Sequence, residues 1–336
     1  MADEVRQPFH RYHATVVRAA QALYVGRFAD ADELARDALA MGRRMPGMDA
    51  SGAFGMQMFT SAQARGQLAT LAPLVEQFVG TTSIEATWRP ALILVQAELG
   101  QFEGATAGLE ELARENFRAV PRDSLWLACL AYLAQACVLT KDEAHADALY
   151  ELISPWTGRN LIAGSMIVCY GPADRYLGML GALRKTWDAA ARHFEAAIDM
   201  SRRQGASPWL ALAQHDYAVM LLERGFEGDE QRVHALAISA LALAQKLGMH
   251  QLKEGAERLV RAQTPPAPAS ANSGGLSRRE AEVLRLLAAG KSNQEIASAI
   301  FRSPNTVASH VRNILAKLGA ANRTEAAMLA SRNKLL

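Results

Sequence analysis

The sequence predicts an all-α protein with two helical parts of unequal length joined by a linker. Before residue 263, apolar residues and Ala recur at helical spacing with almost no strand-like alternation. Residues 263–275, QTPPAPASANSGG, contain no charge and no apolar side chain larger than Ala, which is typical of a linker. Residues 276–336 carry four helix-start signals in a short segment.

A degenerate repeat runs through residues 9–262. A small residue is followed by an aromatic residue or Leu two positions later, by Ala five positions later, and by apolar residues nine and twelve positions later. Full or partial copies are Gly26, Phe28, Ala31, Ala35 and Ala38; Gly66, Leu68, Leu71, Val75 and Phe78; Gly100, Phe102, Ala105, Leu109 and Leu112; Ala144 and Ala148; and Trp187, Ala190, Phe194 and Ala197. Small residues let antiparallel helices approach closely, and each hairpin must then stack on a neighbour. The region resembles a tetratricopeptide array of about six helical hairpins; an irregular α-bundle is the alternative.

Charge divides the chain at the same place. From Leu276 onward there are ten Lys and Arg against four Asp and Glu, whereas the preceding residues hold 26 basic and 30 acidic side chains. A basic segment beside a slightly acidic one indicates a polyanion partner for the basic part.

Composition favours a cytoplasmic protein. Cys129, Cys137 and Cys169 have spacings that match neither a metal site nor a redox pair, and their odd number argues against a disulfide framework. The opening residues, MADEVRQPFH, do not have the pattern of a secretory leader. The longest apolar stretch, residues 125–139, is shorter than the roughly 18 residues of a membrane span. We therefore predict a buried helix there and no membrane partner.

Cap chemistry marks the four helix starts in residues 276–336. Three oxygen-bearing side chains are each followed three residues later by Glu, as in a reciprocal capping box: Ser277 with Glu280, Ser292 with Glu295, and Asn322 with Glu325. Ser303 precedes Pro304, which suits the first position of a helix. Gly290 and Gly319 suit left-handed helix ends.

The third of these helices has two contrasting faces. The apolar faces of the first three helices are Val283, Leu284 and Leu287; Ile296 and Ile300; and Val307, Val311, Ile314 and Leu318. The opposite face of the third helix holds Asn305, Ala308, Ser309, Arg312 and Ala316. Small, hydrogen-bonding side chains around one Arg suit insertion into the DNA major groove, where guanine accepts a bidentate guanidinium. With the second helix bracing across the backbone, residues 304–318 would be the recognition helix of a helix-turn-helix unit.

At these residues the sequence resembles a known DNA-binding domain. The motifs are Leu276-Ser-Arg-Arg-Glu280, Val283-Leu284, Gly290-Lys-Ser-Asn-Gln-Glu-Ile-Ala297, Thr306-Val307, His310, Ile314, Lys317-Leu318-Gly319, Arg323 and Glu325-Ala326. Together they are similar to the LuxR-type (GerE-like) domain over residues 276 to 331, less than a fifth of the chain. The resemblance implies double-stranded DNA as partner and a homodimer formed through the fourth helix, from Arg323 onward.

The resemblance also implies roles for individual side chains. Facing the bases would be Ala308, Ser309 and Arg312; near phosphates would be Asn293, Asn305, Thr306, His310 and Lys317. Two positions depart from the family: Ala308 stands where Lys or Arg is frequent, and Arg302 replaces a residue that is usually apolar and is expected to add a backbone contact. The alternatives without a DNA contact are a solvated surface role for Arg312, capping for Thr306 and packing for His310.

Candidates for other chemistry are weak, and we expect neither enzymatic activity nor a cofactor or metal. Gly290-Lys-Ser292 resembles the end of a P-loop, but the position of that motif's first Gly is Arg285. His10 and His13 lie one turn apart without a third metal ligand beside them.

Two further patterns are ambiguous or unpromising. The side chains of His215 and Asp216 are adjacent along a helix and should not face each other, which argues against a catalytic dyad. Residues 41–58 contain five methionines, which suit an adaptable binding surface but fit a loosely packed loop between repeats equally well; we favour the loop.

A helical array followed by a LuxR-type domain is similar to the C-terminal part of the large ATP-dependent LuxR regulators. Those carry an upstream nucleotide-binding module, and this sequence contains no Walker motif; either the chain works without that module or it is a piece of a longer product. Two functions remain. One is a transcription regulator whose array senses a ligand or protein; the other is a protein-binding scaffold whose terminal domain only docks. The charge of residues 276–336 favours the regulator.

Overall fold

A computed structural model of the chain describes residues 7–46, 50–73, 75–76, 85–263, 276, 278–300 and 302–332. These residues are predominantly α-helical, with little sheet, which confirms the predicted all-α class. The predicted linker lies outside the described residues except for Gln263, which is the last residue of a helix. Phe78 of the repeat pattern and Ser277 of the first capping box also lie outside them.

The helices before the linker are α1 (Pro8–Val25), α2 (Phe28–Gly42), α3 (Ser51–Arg65), α4 (Glu85–Glu98), α5 (Phe102–Ala113), α6 (Trp126–Thr140), α7 (Glu143–Ile153), α8 (Ala173–Leu183), α9 (Trp187–Arg203), α10 (Ser207–Arg224), α11 (Asp229–Leu247) and α12 (His250–Gln263). Short 3-10 turns cover Leu68–Thr70 and Ser154–Trp156. The described chain divides into two compact units, one with the residues up to Tyr217 and Ser239–Gly255, the other with Ala218–Ile238 and the residues from Ala256 onward.

Consecutive helices of the first unit pack on each other, as α1 does on α2, α4 on α5 and α8 on α9. Gly26 ends α1 with φ +89°, a conformation that L side chains rarely adopt, and its amide bonds back to α1 carbonyls. The Ala residues of the repeat pattern are buried in α2, α5 and α9. Two positions differ from the expectation: Phe102 is 50% exposed and does not plug a gap between hairpins, and Ala144 is exposed.

A β-hairpin interrupts the helices, and sequence periodicity did not predict it. Strands β1 (Asn160–Ala163) and β2 (Val168–Pro172) pair antiparallel, with Ile162 opposite Cys169 and Ala163 opposite Val168. Every residue of β2 is buried, and β2 packs against α1. Buried on both faces, β2 shows no alternation of polar and apolar residues, so its sequence resembles a short stretch of buried helix.

The apolar stretch at residues 125–139 forms α6, whose side chains are largely buried in the first unit, as predicted. All three cysteines are buried free thiols. Burial raises the thiol pKa to about 12 for Cys129 and Cys137 and to about 11 for Cys169, so the thiolate is disfavoured. Within the described part of the chain, no helix combines the length and the apolar character that a membrane crossing requires.

Four helices follow the linker: α13 (Arg278–Ala288), α14 (Asn293–Ala299), α15 (Pro304–Leu318) and α16 (Arg323–Arg332). They enclose a common core whose centre is Val283, Leu284, Ile296, Val307, Ile314, Ala326 and Ala330, each fully or almost fully buried. Leu287 and Ile300 are buried in the same core, and Val311 and Leu318 pack against it partly buried, so the core contains the apolar faces predicted from the sequence. Helices α13 and α15 pack together, and α16 packs on both.

The predicted cap side chains accept backbone amides where the structure describes them, but the predicted box of Asn322 with Glu325 is not reciprocal. Ser292 and Glu295 form the reciprocal capping box of α14. The side chain of Asn322 accepts from the amide of Glu325 at 3.0 Å, but the Glu325 carboxylate accepts from the amide of Ala321 rather than from that of Asn322. Gly290 and Gly319 have φ values of +79° and +65°, as left-handed helix ends require.

Candidate nucleic-acid interface

Local hydrogen bonds fix both ends of α15, the helix that the sequence predicts to be the recognition helix. The Ser303 hydroxyl accepts from the amide of Thr306 at 3.1 Å, and Pro304 occupies the first turn. At the other end, the amide of Gly319 bonds back into the last turn. The amide of Arg302 donates to the carbonyl of Ala297 at 2.9 Å and closes the turn between α14 and α15. Such caps fix the residue at which α15 begins, and therefore which side chains lie on each face of the helix.

Helical periodicity sorts the side chains of α15 into three stripes. The core stripe contains Val307 and Ile314, both fully buried, together with the half-buried Val311 and Leu318. We call the opposite row the outer stripe; it consists of Asn305, Ser309, Arg312 and Ala316, with Ala308 beside it. Between the two lies what we call the flank stripe, Thr306, His310, Asn313 and Lys317. The outer stripe holds the residues expected to face bases, and the flank stripe holds three of those expected near phosphates.

The two cations of α15 differ in their surroundings. Arg312 is exposed and forms no ion pair with any described residue. Lys317 donates from Nζ to Oε2 of Glu280 at 2.6 Å, and the Glu280 side chain is only 5% exposed against 43% for Lys317. A cation that neutralises a buried carboxylate of α13 is less available to a phosphate. Arg312 is therefore the cation of this helix best placed to reach outward.

His310 and Arg302 are both half-buried. Burial lowers the pKa of His310 below its usual value, which disfavours the charged imidazolium in the chain without DNA. Burial also lowers the pKa of the Arg302 guanidinium, which still stays charged at neutral pH. Thr306 is half-buried, and its hydroxyl lies 2.9 Å from that of Ser303, consistent with its capping alternative.

The remaining predicted residues lie on α14 and at the start of α15. Asn293 is the half-buried first residue of α14, and Asn305 is exposed in the first turn of α15. Sequence reasoning missed Asn313, which is exposed on the flank stripe. Its position seven residues after Thr306 was the available signal, because residues i and i+7 share a helix face.

One prediction about chemistry elsewhere in the chain is wrong. We expected His215 and Asp216 not to meet, but Nδ1 of His215 lies 3.3 Å from Oδ1 of Asp216. The Asp216 carboxylate has two oxygens, and Oδ2 accepts from Nε of the buried Arg175 at 2.7 Å, so Oδ1 is left for the histidine. Among the described residues no group of three or more His, Cys, Asp or Glu could hold a metal ion.

Comparison with known proteins assigns the C-terminal segment to a family. Residues 275–330 match GerE, the family described as bacterial regulatory proteins of the luxR family. An uncharacterized transcriptional regulatory protein, YhcZ of Bacillus subtilis (strain 168), is 55% identical over 60 residues, which are 18% of this chain and 28% of YhcZ. The transcriptional regulatory protein LiaR of the same organism is 48% identical over 61 residues, 18% of this chain and 29% of LiaR.

A third relative gives the same picture. The response regulator protein VraR of Staphylococcus aureus (strain NCTC 8325 / PS 47) is 49% identical over 61 residues, 18% of this chain and 29% of VraR. The chain thus covers less than a third of the length of each of these relatives. No solved structure matches the chain significantly.

Proposed function

We propose that this chain, whose C-terminal segment is a LuxR-type helix-turn-helix domain, is a transcription regulator that reads duplex DNA with α15 in the major groove. The observation that carries the proposal is the outer stripe, a slim polar row around the exposed Arg312, which forms no ion pair with any residue that the structure describes. Ala308, Ser309 and Arg312 would face the bases. Phosphate contacts would come from Asn293, Arg302, Asn305, Thr306, His310 and Lys317.

Two copies would act together on a dyad-symmetric site. Helix α16 exposes 68% of Met328, a large apolar side chain, on the surface of the domain. An exposed methionine on the last helix supports pairing of two copies through α16, because association would remove it from water. The DNA site would then contain two inverted half-sites.

Residues 9–262 would form the sensing part, connected through the linker at residues 263–275 to the DNA-binding part at residues 276–336. A stacked helical array offers extended surfaces to a ligand or protein. Occupancy of the array would change pairing or access of the DNA-binding part. No enzymatic step is included in this proposal.

Selection of duplex DNA by the full-length chain, followed by titration of the selected sequence, tests the proposal. Affinity should fall steeply between about 50 and 200 mM salt, because Lys and Arg displace counterions from phosphates. Arg312→Ala should cost about 1 to 3 kcal/mol on the selected sequence and spare nonspecific DNA. Arg285→Ala, at an exposed arginine of α13, is the matched control and should change neither.

Three outcomes would count against the proposal. Equal loss on selected and nonspecific DNA would make Arg312 a phosphate contact rather than a base contact. A loss for Arg285→Ala as large as that for Arg312→Ala would show that α15 is not the reading helix. Absence of salt-sensitive duplex binding would favour the scaffold function.

A further inference from the structure

A cavity of about 590 Å³ lies within the first unit, inside the size range of about 300 to 1,000 Å³ that is usual for small-molecule sites. Its walls come from elements far apart in the sequence: α1, α3, the first turn of α4, the start of α6 and the turn of the β-hairpin. Neither the repeat pattern nor the DNA-binding role requires such a space.

The lining of the cavity is largely apolar and includes several aromatic rings. Tyr12, Trp88 and Tyr132 contribute rings to the walls, Met56 contributes a buried thioether, and the half-exposed Phe9 stands at the rim. The described residues that line the cavity include no carboxylate, ammonium or guanidinium group. Burying a charge without a partner is costly, so this lining selects against ionised ligands. Ring faces and a polarisable sulfur favour a planar aromatic compound.

Hydrogen bonds hold the cavity walls in place without a ligand. The buried amide of Gln57 donates from Nε2 to the carbonyl of Val16 on α1 and to the carbonyl of Ile167 in the hairpin turn, both at 2.9 Å. The amide of Gly164 donates to the carbonyl of Ser124, in the loop before α6, at 2.7 Å. The hairpin is thereby bonded directly to α3 and to the loop before α6, and Gln57 also ties α3 to α1. A preformed cavity loses little conformational freedom when it binds.

Polar groups are confined to a few places around the aromatic walls. Ser124 and Ser165 line the cavity from exposed positions, and the His13 ring lines it from α1, stacked on Phe9 with the ring centroids 6.3 Å apart. Hydroxyl and imidazole groups can donate to or accept from a carbonyl or hydroxyl of a ligand. Few polar groups on an apolar wall are the usual means by which a site orients its ligand.

We propose that this cavity binds a neutral, planar aromatic small molecule, and that this molecule is the effector of the chain. Its role as an effector rests on the proposed DNA-binding function, whereas the binding site itself does not. The hairpin would serve as the outer wall, which explains why a repeat array contains two strands at this place.

Titration of the full-length chain with N-phenyl-1-naphthylamine, a neutral fluorescent aromatic probe, tests the site. We expect saturable binding of one probe per chain. The sulfonated relative 8-anilinonaphthalene-1-sulfonate should bind at least tenfold more weakly, because its charge would be buried without a partner. Ala53→Trp, within the wall, and Ser165→Trp, on the exposed hairpin turn, should each weaken probe binding at least tenfold by filling the cavity.

Ala144→Trp is the matched control, because Ala144 is exposed on α7 and does not line the cavity. It should bind the probe like the unaltered chain. Equal binding by the control and both cavity variants would overturn the proposal, as would equal affinity for the neutral and the sulfonated probe. Circular dichroism of each variant shows whether the array is folded, and Ser165→Trp keeps the test decisive if Ala53→Trp unfolds.

The effector role is tested separately. The probe titration contains no DNA, so a failure of DNA binding leaves it unchanged. If the chain binds selected DNA, saturating probe should change its DNA affinity at least threefold in the unaltered chain and in Ala144→Trp but not in Ser165→Trp. Probe binding without any change in DNA affinity would overturn the effector role, whereas the proposed binding site would still stand.

Discussion

Ala308 lies beside the outer stripe of α15, where its side chain ends at Cβ. The resemblance to LuxR-type domains implies that Lys or Arg is frequent at this position, and Arg312 is exposed one turn away. The proposed interface therefore has one positive charge fewer than the resemblance implies for many such domains. Each Lys or Arg that neutralises a phosphate contributes to affinity through counterion release.

Ala308→Lys should therefore tighten DNA binding and make it more sensitive to salt. The slope of log affinity against log salt should steepen by about 0.9 for one added phosphate contact. Titration of duplex DNA at several salt concentrations measures this slope. Ala289→Lys, at an exposed residue just after α13, adds the same charge outside the interface and should leave the slope nearly unchanged.

The sequence predicted which residues share each face of α15. It did not predict which of the positively charged side chains of α15 form ion pairs within the protein. Placing Arg312 on the outer stripe needed only helical periodicity. The ion pair between Lys317 and Glu280 joins residues 37 positions apart, and spacing within one helix carries no information about such a contact. The base-facing and phosphate-facing roles themselves stay predictions.

Between elements, the pair of Lys317 with Glu280 links α15 to α13. Removing Lys317 leaves a buried carboxylate with one partner fewer, so Lys317→Ala should destabilise this contact by about 1 to 3 kcal/mol. Hydrogen exchange of the α13 and α15 amides in the full-length chain measures the loss locally.

Lys291→Ala is the matched control for this effect. Lys291 pairs with Glu295 at 3.2 Å, and both side chains are about half exposed. Exposed pairs contribute roughly 0 to 1 kcal/mol, so exchange from α13 and α15 should barely change. If both variants accelerated exchange equally, the buried carboxylate would have no special dependence on Lys317.

Element starts were predictable where a local rule decides them. Ser292, Ser303 and Asn322 accept the expected amide protons because capping depends on three or four consecutive residues. The β-hairpin was not predictable in the same way. Its strands are short and mostly buried, and β1 packs against α6 and β2 against α1, which local propensity does not contain.

For the molecule as a whole, Glu98 gives stability a pH dependence. It lies at the end of α4, where Gln63 donates to its Oε1 at 2.8 Å. Burial raises the pKa of Glu98 from 4.5 to about 7, while the Gln63 hydrogen bond and the charge of Arg175 oppose the shift. The folded chain thus holds a proton that the unfolded chain releases between these values. Stability from this group is present at low pH and is lost as pH rises through 7.

Glu98→Gln should remove that dependence. The variant should be more stable than the unaltered chain at pH 8 by on the order of 2 kcal/mol, and of similar stability below pH 5. Urea unfolding at both pH values, followed by tryptophan fluorescence, measures the difference. The same change at the exposed Glu110 should have no effect at either pH; an equal gain for both variants would exclude burial as the cause.

The cavity of the first unit could not have been predicted from the sequence. Tyr12, Met56, Trp88 and Tyr132 belong to four different helices, and helical spacing within each segment says only that one face is apolar. Met56 lies in the methionine-rich stretch, for which we favoured a loosely packed loop between repeats; that prediction is wrong for residues 51–58, which belong to α3. Its place in the wall depends on how those helices meet.

The hairpin also bears on how the first unit is assembled. In a simple solenoid each repeat contacts only its neighbours, so folding can begin anywhere and spread along the chain. Here β2 packs on α1, and Gln57 bonds to residues 16 and 167. The entropic cost of closing such long loops must be met before the contacts between their ends stabilise the fold. During synthesis, about 150 further residues must therefore leave the ribosome before β2 can pack on the first helix. Ala22 and Leu23 of that helix also share a core with Ala244, Met249 and Leu252, which are made later still.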